Sequence, residues 1–325
     1  MRAGTQLKVR VGTAVVVAAA AIGLSAAPAE AVPRPGPIIG QPSIIGSGPA
    51  FGSRVRPSNV AGAAQTARTL EPTLDCIPSA EQPNPVVVLG GFGAVGDIRA
   101  TLDKQMAGIT GGIRDLGGCP FVFGYGIIGP MQAAAPVPES AGELAGFITK
   151  VQAATGADHV DIVAHSSGAL IANYYLKFLH GGPHVDRAIY LAPVTQGTTA
   201  ATLVGGLDLP GSPEGLAGIL DDAKDPLRDT IFTGIAGALD CLAGSRITRA
   251  ILNGGVTVPG VVYSVLATRG DQVLTPPGPA SFIDDPRVEN DYFEDLYPRA
   301  GLADHATLPM QPDAAQWVIE QLLTE

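Results

Sequence analysis

The sequence predicts an α/β protein with a mostly parallel, doubly wound sheet and helices on both faces. Short apolar runs occur at residues 86–89, 121–123, 160–164, 188–191 and 261–267. Segments with helical periodicity separate these runs, and such alternation is typical of parallel strands joined by crossover helices. A tight turn follows the third run directly and leads into a helical pattern. Its sequence is Ala164-His165-Ser166-Ser167-Gly168.

The N-terminus has the pattern of a secretory signal peptide over residues 1–31. Three basic residues precede the apolar run 11–24, and Ala29-Glu30-Ala31 matches a cleavage site. The run is too short and too rich in Ala to predict a membrane span. We therefore expect an extracellular protein, cleaved near Ala31, without a transmembrane segment.

The rest of the chain is expected to form one domain behind a linker. Residues 32–71 are expected to form a linker or strap, because they begin with a Pro- and Gly-rich stretch that has little periodicity. Residues 72–325 are long and apolar enough for one α/β core. Residues 198–255 are rich in Gly, Ala and Leu and are a candidate cap or lid, with ordinary core helices as the alternative.

The net charge argues against nucleic acid as a partner. The chain carries a net charge of −10 at pH 7. The predicted signal peptide holds three basic residues and one acidic residue, so cleavage moves the charge from −10 to −12. An acidic chain without basic clusters is a poor ligand for a phosphate backbone.

The clearest predicted helix begins at a capping box, Ser140-Ala141-Gly142-Glu143. In such a box the serine caps the first turn, and the glutamate three residues later returns a hydrogen bond. Apolar residues then follow at helical spacing. They are Leu144, Phe147, Ile148 and Val151.

The turn around Ser166 has the pattern of a nucleophile elbow. The serine of such a turn sits in strained backbone geometry, which requires very small residues two positions before and after it. Ala164 and Gly168 meet that requirement. The alternative is an ordinary strand-turn-helix with a surface serine.

A nucleophilic serine needs a base, and in this arrangement the order along the chain is Ser, acid, His. Of the five histidines, two precede Ser166, and His180 and His184 lie in a polar loop that ends the elbow helix. His305 remains, in a loop before the amphipathic segment 314–323. We expect His305 to be the base, although a lone loop histidine is often only solvated.

The acid is expected just beyond a late strand. Asp271 follows the apolar run 261–267, and its carboxylate would accept the ring N–H of His305 and stabilise the imidazolium. A loop-capping role is the alternative for Asp271. Other aspartates are rivals by position, but none of them is predicted to follow a strand. They are Asp284, Asp285, Asp291, Asp295 and Asp304.

Attack by Ser166 would place negative charge on a carbonyl oxygen, so preorganised N–H donors are needed. The backbone N–H of Ser167 begins the elbow helix and is one candidate. The second is Phe92, in the Gly-rich turn after the run 86–89. A nucleotide site is the alternative for this turn, but the P-loop Lys-Ser/Thr and the G-x-G-x-x-G spacing are missing.

Three cysteines in an exported chain suggest one disulfide and one leftover thiol. Cys76 and Cys119 precede successive predicted strands, which in a parallel sheet places them at the same end of neighbouring strands. We expect this pair to be bonded, with Cys241 free or paired between chains. The sequence offers no Cys-x-x-Cys or Cys-His spacing for zinc, and no metal is expected.

From about Cys76 to the C-terminus the chain resembles the secreted bacterial triacylglycerol lipases of the lipase class 2 group, in the α/β-hydrolase superfamily. The resemblance places Ser166, Asp271 and His305 at the family's triad positions. Three positions depart from the family: Gly90-Gly91 replaces His-Gly, Ser167 replaces Gln, and Tyr297 replaces a Cys. The matching segments are residues 140–144, 160–166, 174–179, 191–193, 197–199, 268–271, 275–276 and 304–305.

These observations predict a secreted serine carboxylester hydrolase of lipase type that needs no cofactor. Its expected partner is a lipid or ester substrate, with contact at an oil–water interface. Hydrolysis of cutin or another polyester and acyl transfer to an alcohol are alternatives that use the same acyl-enzyme. A catalytically silent exported binding protein is the alternative outside enzymes.

Overall fold

The computed structural model describes residues 67–94, 96–199 and 236–324 of the chain. All of them lie in one compact unit, Ala64–Glu325. The predicted signal peptide and most of the predicted linker lie outside the described residues. Of the candidate lid, residues 200–235 also lie outside them. Within the described residues, no helix combines the length and the apolar character needed to cross a membrane.

The described residues form a seven-stranded sheet with the order β1-β3-β2-β4-β5-β6-β7. Strand β1 runs antiparallel to β3, and the other neighbouring pairs are parallel. The predicted mostly parallel sheet is therefore confirmed. The strands are β1 (Arg68–Leu70), β2 (Val86–Leu89), β3 (Pro120–Ile127), β4 (Val160–His165), β5 (Val185–Leu191), β6 (Val262–Ala267) and β7 (Glu289–Tyr292).

The central strands are apolar because both faces of the sheet are covered. All four residues of β2 and all six of β4 are buried, as expected for parallel strands between two helical layers. The helices are α1 (Ile98–Gln105), α2 (Ala107–Asp115), α3 (Val137–Thr155), α4 (Ser167–Phe178), α5 (Ala236–Asp240), α6 (Arg246–Leu252), α7 (Phe293–Leu296) and α8 (Pro312–Leu323).

Strand β3 shows directly that helices lie on both faces. The ring of Phe123 stacks on Phe147 of α3, with the ring centroids 4.3 Å apart. A Cβ on the next residue, Gly124, would lie 3.4 Å from Leu102 of α1. Successive strand residues point to opposite faces, so α3 and α1 cover opposite sides of the sheet.

The predicted start of helix α3 is wrong. The helix begins at Val137 rather than at a cap on Ser140, because the carboxylate of Asp240 accepts the N–H of Val137 at 2.9 Å. Ser140 is fully buried inside the helix. Glu143 instead accepts the N–H of Gly126 at 2.7 Å. A distant carboxylate thus replaces the local capping box.

Both edge strands escape the sequence analysis because neither contains an apolar run. Strand β7 has the sequence Glu-Asn-Asp-Tyr, and β1 has only three residues. Polar and short strands are common at sheet edges, where they discourage pairing with other chains. Strand β1 also lies within the segment 32–71 that was expected to be a linker, so the sheet begins before residue 72.

Cys76 and Cys119 form a disulfide, as the sequence predicts. Cys119 directly precedes β3, and its carbonyl accepts the N–H of Val86 at the start of β2. Cys241 is a free cysteine with 1% of its surface exposed. Its thiol donates to the carbonyl of Gly237 at 3.2 Å.

Removing the disulfide is expected to lower the free energy of unfolding by about 2–4 kcal/mol, because the bond closes a long loop in the unfolded chain. The two cysteines are 43 residues apart. The double variant C76A/C119A, compared with the wild type by urea denaturation, measures this loss. A reducing agent should destabilise the wild type and leave the double variant unchanged. Equal stability of the two oxidised proteins would contradict the expectation.

Candidate active site

The carboxyl ends of the parallel strands gather the predicted site residues at one edge of the sheet. Ser166 follows β4, Asp271 lies beyond β6, and the Gly90-Gly91 turn follows β2. His305 comes from the loop before α8. Sites in open α/β sheets form at this edge, and the fold delivers all four segments there.

The backbone of Ser166 is strained, with φ of 57° and ψ of −126°. A positive φ is unfavourable for a residue with a Cβ and persists only where the surroundings impose it. Two hydrogen bonds to neighbouring segments hold the turn. The N–H of Ser166 donates to the carbonyl of Leu191 at 3.1 Å, and its carbonyl accepts from Val194 at 3.2 Å.

Gly168, two positions after the serine, allows helix α4 to approach strand β2. A Cβ on Gly168 would lie 2.8 Å from the carbonyl oxygen of Gly90 and 3.0 Å from the Cβ of Leu89. Two residues before the serine, Ala164 is fully buried in β4. The structure therefore explains why position 168 has no side chain.

Gly168→Ala is expected to destabilise the fold by about 1–3 kcal/mol, because the new methyl group overpacks a closed contact. It should also lower the ester turnover that the sequence leads us to expect, since the displaced carbonyl belongs to the Gly90-Gly91 turn. Gly142→Ala is the matched control: Gly142 is exposed in helix α3, and a Cβ there meets nothing within 4 Å. Thermal unfolding should show the control unchanged or slightly more stable. Equal behaviour of the two variants would contradict the packing argument.

His305 lies between Ser166 and Asp271 and is hydrogen-bonded to both. Its Nδ1 is 2.8 Å from Oδ2 of Asp271, and its Nε2 is 2.8 Å from Oγ of Ser166. The residues are 8%, 6% and 4% exposed, in the order His305, Ser166, Asp271. Because a carboxylate only accepts hydrogen bonds, Nδ1 carries the proton and Nε2 is free to accept one from the serine.

The second carboxylate oxygen of Asp271 is fixed by the backbone. Oδ1 accepts the N–H of Val273 at 2.9 Å and the N–H of Leu274 at 2.7 Å. These two bonds leave Oδ2 for the ring of His305. The loop after β6 therefore aims the carboxylate at the histidine.

The loops that carry Asp271 and His305 are joined by two residues that the sequence analysis does not single out for this role. Thr268 is fully buried, and its hydroxyl donates to the carbonyl of Ala303 at 2.7 Å. Gly270 packs against the same carbonyl so closely that a Cβ would overlap it. The only sequence signal is the turn Thr268-Arg269-Gly270-Asp271 after an apolar run.

The rival aspartates have other surroundings. Asp284 is exposed, and Asp285 binds Arg287 at 2.6 Å. Asp304 accepts the N–H of Thr307 at 2.7 Å. Asp291 lies within β7, and Asp295 follows β7 and pairs with Arg269 at 2.9 Å. The expectation that no rival follows a strand is therefore wrong for Asp295, because β7 is not visible as an apolar run.

The Gly90-Gly91 turn is held against the elbow by two buried side chains. Tyr125 donates its hydroxyl to the carbonyl of Gly90 at 2.7 Å, and Gln132 donates its amide to the carbonyl of Gly91 at 3.1 Å. A Cβ on Gly91 would lie 2.7 Å from the Cβ of Ser166. These two residues are also missing from the sequence analysis, since each is placed by strand β3 or the loop after it.

The two backbone groups predicted to hold an oxyanion belong to Ser167 and to Phe92, and each of these residues is next in sequence to a residue at the site. Ser167 is the first residue of helix α4, and Phe92 directly follows Gly91. Within the described residues, neither N–H donates a hydrogen bond. A free N–H at a helix N-terminus attracts negative charge.

The remaining histidines lie away from the serine, with one exception. His180 and His184 are exposed, and His159 pairs with Asp186 at 2.8 Å. His165 is buried directly before Ser166. The described part of the chain contains no group of three or more His, Cys, Asp or Glu residues that could hold a metal ion.

Comparison with known proteins gives one family match and several structural neighbours. Residues 137–206 match the family lipase (class 2). The structure resembles lipase B of Aspergillus fumigatus, with a TM-score of 0.55 and 18% identity over 77% of this chain and 55% of that one. It also resembles the mature lipase BlEst2 of Bacillus licheniformis, with a TM-score of 0.52 and 13% identity over 81% of this chain and 100% of that one. The chain thus spans about half the length of the Aspergillus lipase.

Proposed function

We propose that the chain is a carboxylic ester hydrolase of the lipase class 2 family and that it works through an acyl-enzyme on Ser166. The match of residues 137–206 to that family and the structural similarity to two lipases support the proposal. One observation carries the proposal. The ring of His305 makes 2.8 Å contacts with both Ser166 and Asp271 at the carboxyl edge of the sheet.

In the first half-reaction, Oγ of Ser166 attacks the ester carbonyl carbon while Nε2 of His305 takes the hydroxyl proton. The carbonyl π-electrons move to oxygen, and the tetrahedral intermediate carries one negative charge. The imidazolium is stabilised by the carboxylate of Asp271. The intermediate then collapses, the C–O bond to the alcohol breaks, and His305 gives its proton to the leaving oxygen.

The developing oxyanion is held by the backbone N–H groups of Phe92 and Ser167. Both groups lack an acceptor within the described residues. Ser167 directly follows the serine, and Phe92 directly follows Gly91, which packs against it. Preorganised donors of this kind stabilise the transition state more than the ground state, because the charge appears only as the bond forms. Tyr125 and Gln132 keep the turn before Phe92 in place.

The second half-reaction repeats the first with water as the nucleophile. His305 removes a proton from water, the oxygen attacks the acyl carbon, and the ester bond to Ser166 breaks. The proton returns to Oγ, and the carboxylic acid leaves. The cycle consumes one water per ester, and no cofactor takes part.

We propose lipid esters, acylglycerols among them, as the substrate class. The family match supports this, as do two exposed apolar side chains on either side of His305. Leu302 is 72% exposed and Met310 is 45% exposed, and we propose these two side chains as contacts with an oil–water interface. The candidate lid 198–255 and its apolar residues would line an acyl channel, but most of it lies outside the described residues.

The substrate proposal is tested by kcat/KM over p-nitrophenyl esters of increasing acyl length, above and below their solubility limits. Each buried methylene contributes about 0.8 kcal/mol, so kcat/KM should rise beyond acetate until the channel is full. The Ser166→Ala variant is the background control. A maximum at acetate with no response to the interface would instead indicate a small-molecule esterase.

Three further assays distinguish the alternatives to lipid-ester hydrolysis. Release of soluble acids from cutin or polyester film, faster than from emulsified triacylglycerol, would favour a polyester hydrolase. Formation of a new ester when an alcohol is added would favour acyl transfer. A silent binding protein would react with neither the esters nor a fluorophosphonate probe.

Secretion is part of the proposal. It rests on the predicted signal peptide 1–31 and on the disulfide. Residues 32–71 would connect the cleavage site to the hydrolase domain 72–325, apart from the strand β1 that they contribute. N-terminal sequencing of protein from the culture medium should begin at Val32. Retention of the full-length chain in the cells would contradict secretion.

Ester turnover is expected to fall in acid, because protonated His305 cannot accept the proton of Ser166. Burial, followed by the nearby charge of His305, lowers the pKa of His165 to about 3, so that ring stays neutral over the range studied. The fall in ester turnover should therefore follow the uptake of one proton, by His305. Steady-state rates between about pH 5 and 8 measure it, and a flat profile with rate-limiting chemistry would exclude a histidine base.

A further inference from the structure

His165 is a buried residue next to the reacting serine that the proposed mechanism does not use. It ends strand β4 and is 3% exposed. Its Nε2 lies 2.9 Å from the backbone carbonyl oxygen of His305, 140 residues away in sequence. The two imidazole rings are 4.8 Å apart between centroids. The contact therefore joins the elbow directly to the backbone of the residue that bridges Ser166 and Asp271.

The direction of this hydrogen bond follows from chemistry. A carbonyl oxygen only accepts, so Nε2 of His165 carries the proton. The other ring nitrogen, Nδ1, is buried and has no hydrogen-bond partner among the residues that the structure describes. It lies on the side of Gly91, whose Cβ would be 3.2 Å away. The ring is thus a neutral donor with one fixed tautomer.

The other backbone contacts of this loop involve residues next to His305 rather than the backbone of His305 itself. Ala303 accepts from Thr268, and Gly270 forms a β-bridge with Asp304. On the far side, Ala306 accepts from Gln105 at 3.5 Å. His165 is the side chain that holds the carbonyl of His305. Ring placement depends on that backbone, because the imidazole must reach two partners at 2.8 Å at once.

We propose that His165 is a positioning residue for His305: its Nε2–H fixes the His305 backbone so that the ring meets Ser166 and Asp271 together. The inference rests on the proposed function for its effect on rate. A misplacement of about 1 Å costs on the order of 100-fold in rate. Loss of the donor should therefore lower kcat about 10- to 100-fold, with little change in KM, because substrate contacts are untouched.

Two amide variants separate the hydrogen bond from the volume of the ring. The amide nitrogen of glutamine occupies about the position of a histidine Nε2, whereas that of asparagine matches Nδ1. His165→Gln should therefore keep the donor and most of kcat. His165→Asn and His165→Phe, which lack a donor at that place, should both lose kcat. Thermal unfolding of all three variants checks that they fold.

A direct readout does not depend on catalysis. The proton on Nδ1 of His305, bonded to a carboxylate, gives a low-field ¹H resonance in NMR spectra. The resonance should persist in His165→Gln and broaden or disappear in His165→Asn. In the wild type, ¹⁵N shifts should show His165 protonated at Nε2. The tautomer measurement needs no variant, so protonation of His165 at Nδ1 would overturn the proposal even if all substitutions prevent folding.

The outcomes distinguish this inference from the proposed function. An inactive wild type with the expected NMR pattern would contradict the ester-hydrolase proposal and leave the hydrogen bond from His165 to His305 supported. If the wild type is active and His165→Gln, His165→Asn and His165→Phe have equal kcat values, the positioning role of His165 is wrong and the ester-hydrolase proposal stands. A wild-type His165 protonated at Nδ1 would also contradict the positioning role, because its Nε2 would then have no proton to donate.

Discussion

Replacing Ser166 by alanine is expected to lower kcat for ester hydrolysis by about 10⁴- to 10⁶-fold. The variant lacks the oxygen that forms the acyl-enzyme, and the residual rate comes from the oxyanion donors alone. The free energy of unfolding should fall by no more than about 1–3 kcal/mol, because the variant loses only the hydroxyl group and its hydrogen bond to His305. Steady-state kinetics and thermal unfolding measure the two quantities.

Contamination is the main danger in such a measurement, so a fluorophosphonate probe serves as the control. The probe should label the wild type stoichiometrically and leave Ser166→Ala unlabelled. Residual turnover in the variant that the probe abolishes would reveal a foreign hydrolase. Turnover within tenfold of the wild type that resists the probe would show that Ser166 is not the nucleophile.

Asp271→Asn is expected to lower kcat by about 10³- to 10⁴-fold at neutral pH. The structure gives the reason. Oδ1 of Asp271 accepts two backbone N–H groups, from Val273 and Leu274, so the amide oxygen of asparagine would occupy that place. The NH₂ group would then face Nδ1 of His305 and force it to accept. The ring proton would move to Nε2, and the ring would no longer accept the proton of Ser166.

The matched control is Asp295→Asn. Asp295 follows β7, and its side chain is 63% exposed and pairs with Arg269, so the substitution removes the same charge from a nearby surface. Its kcat should remain within about twofold of the wild type, since exposed ion pairs contribute little. If Asp271→Asn were the near-normal variant and Asp295→Asn the impaired one, the acid would be Asp295. Asp284→Asn and Asp285→Asn test two of the other rivals in the same way.

The predicted fold and the arrangement of the site followed from local signals. The five apolar runs correspond to β2 to β6, because strands buried on both faces must be apolar. The elbow was visible because its geometry excludes all but the smallest residues at position 168. Chain order then left His305 as the one histidine in the expected place, and the structure puts its ring against Ser166.

The remaining features depend on contacts between distant segments. The start of helix α3 is set by Asp240, about 100 residues further along the chain. The meeting of the Asp271 and His305 loops depends on Gly270 and Thr268 fitting against the carbonyl of Ala303. The role inferred for His165 also rests on a partner 140 residues away. Such pairings leave no periodic pattern, so spacing alone does not reveal them.

The most direct test is to trap the acyl-enzyme. The wild type is mixed rapidly with a p-nitrophenyl ester, quenched in acid within one turnover, and digested for mass spectrometry. We expect one acyl group on the peptide that contains Ser166, formed as fast as the burst of nitrophenol, and none in Ser166→Ala. Steady turnover without an acyl group on Ser166, or with the acyl group on another residue, would contradict the proposed mechanism.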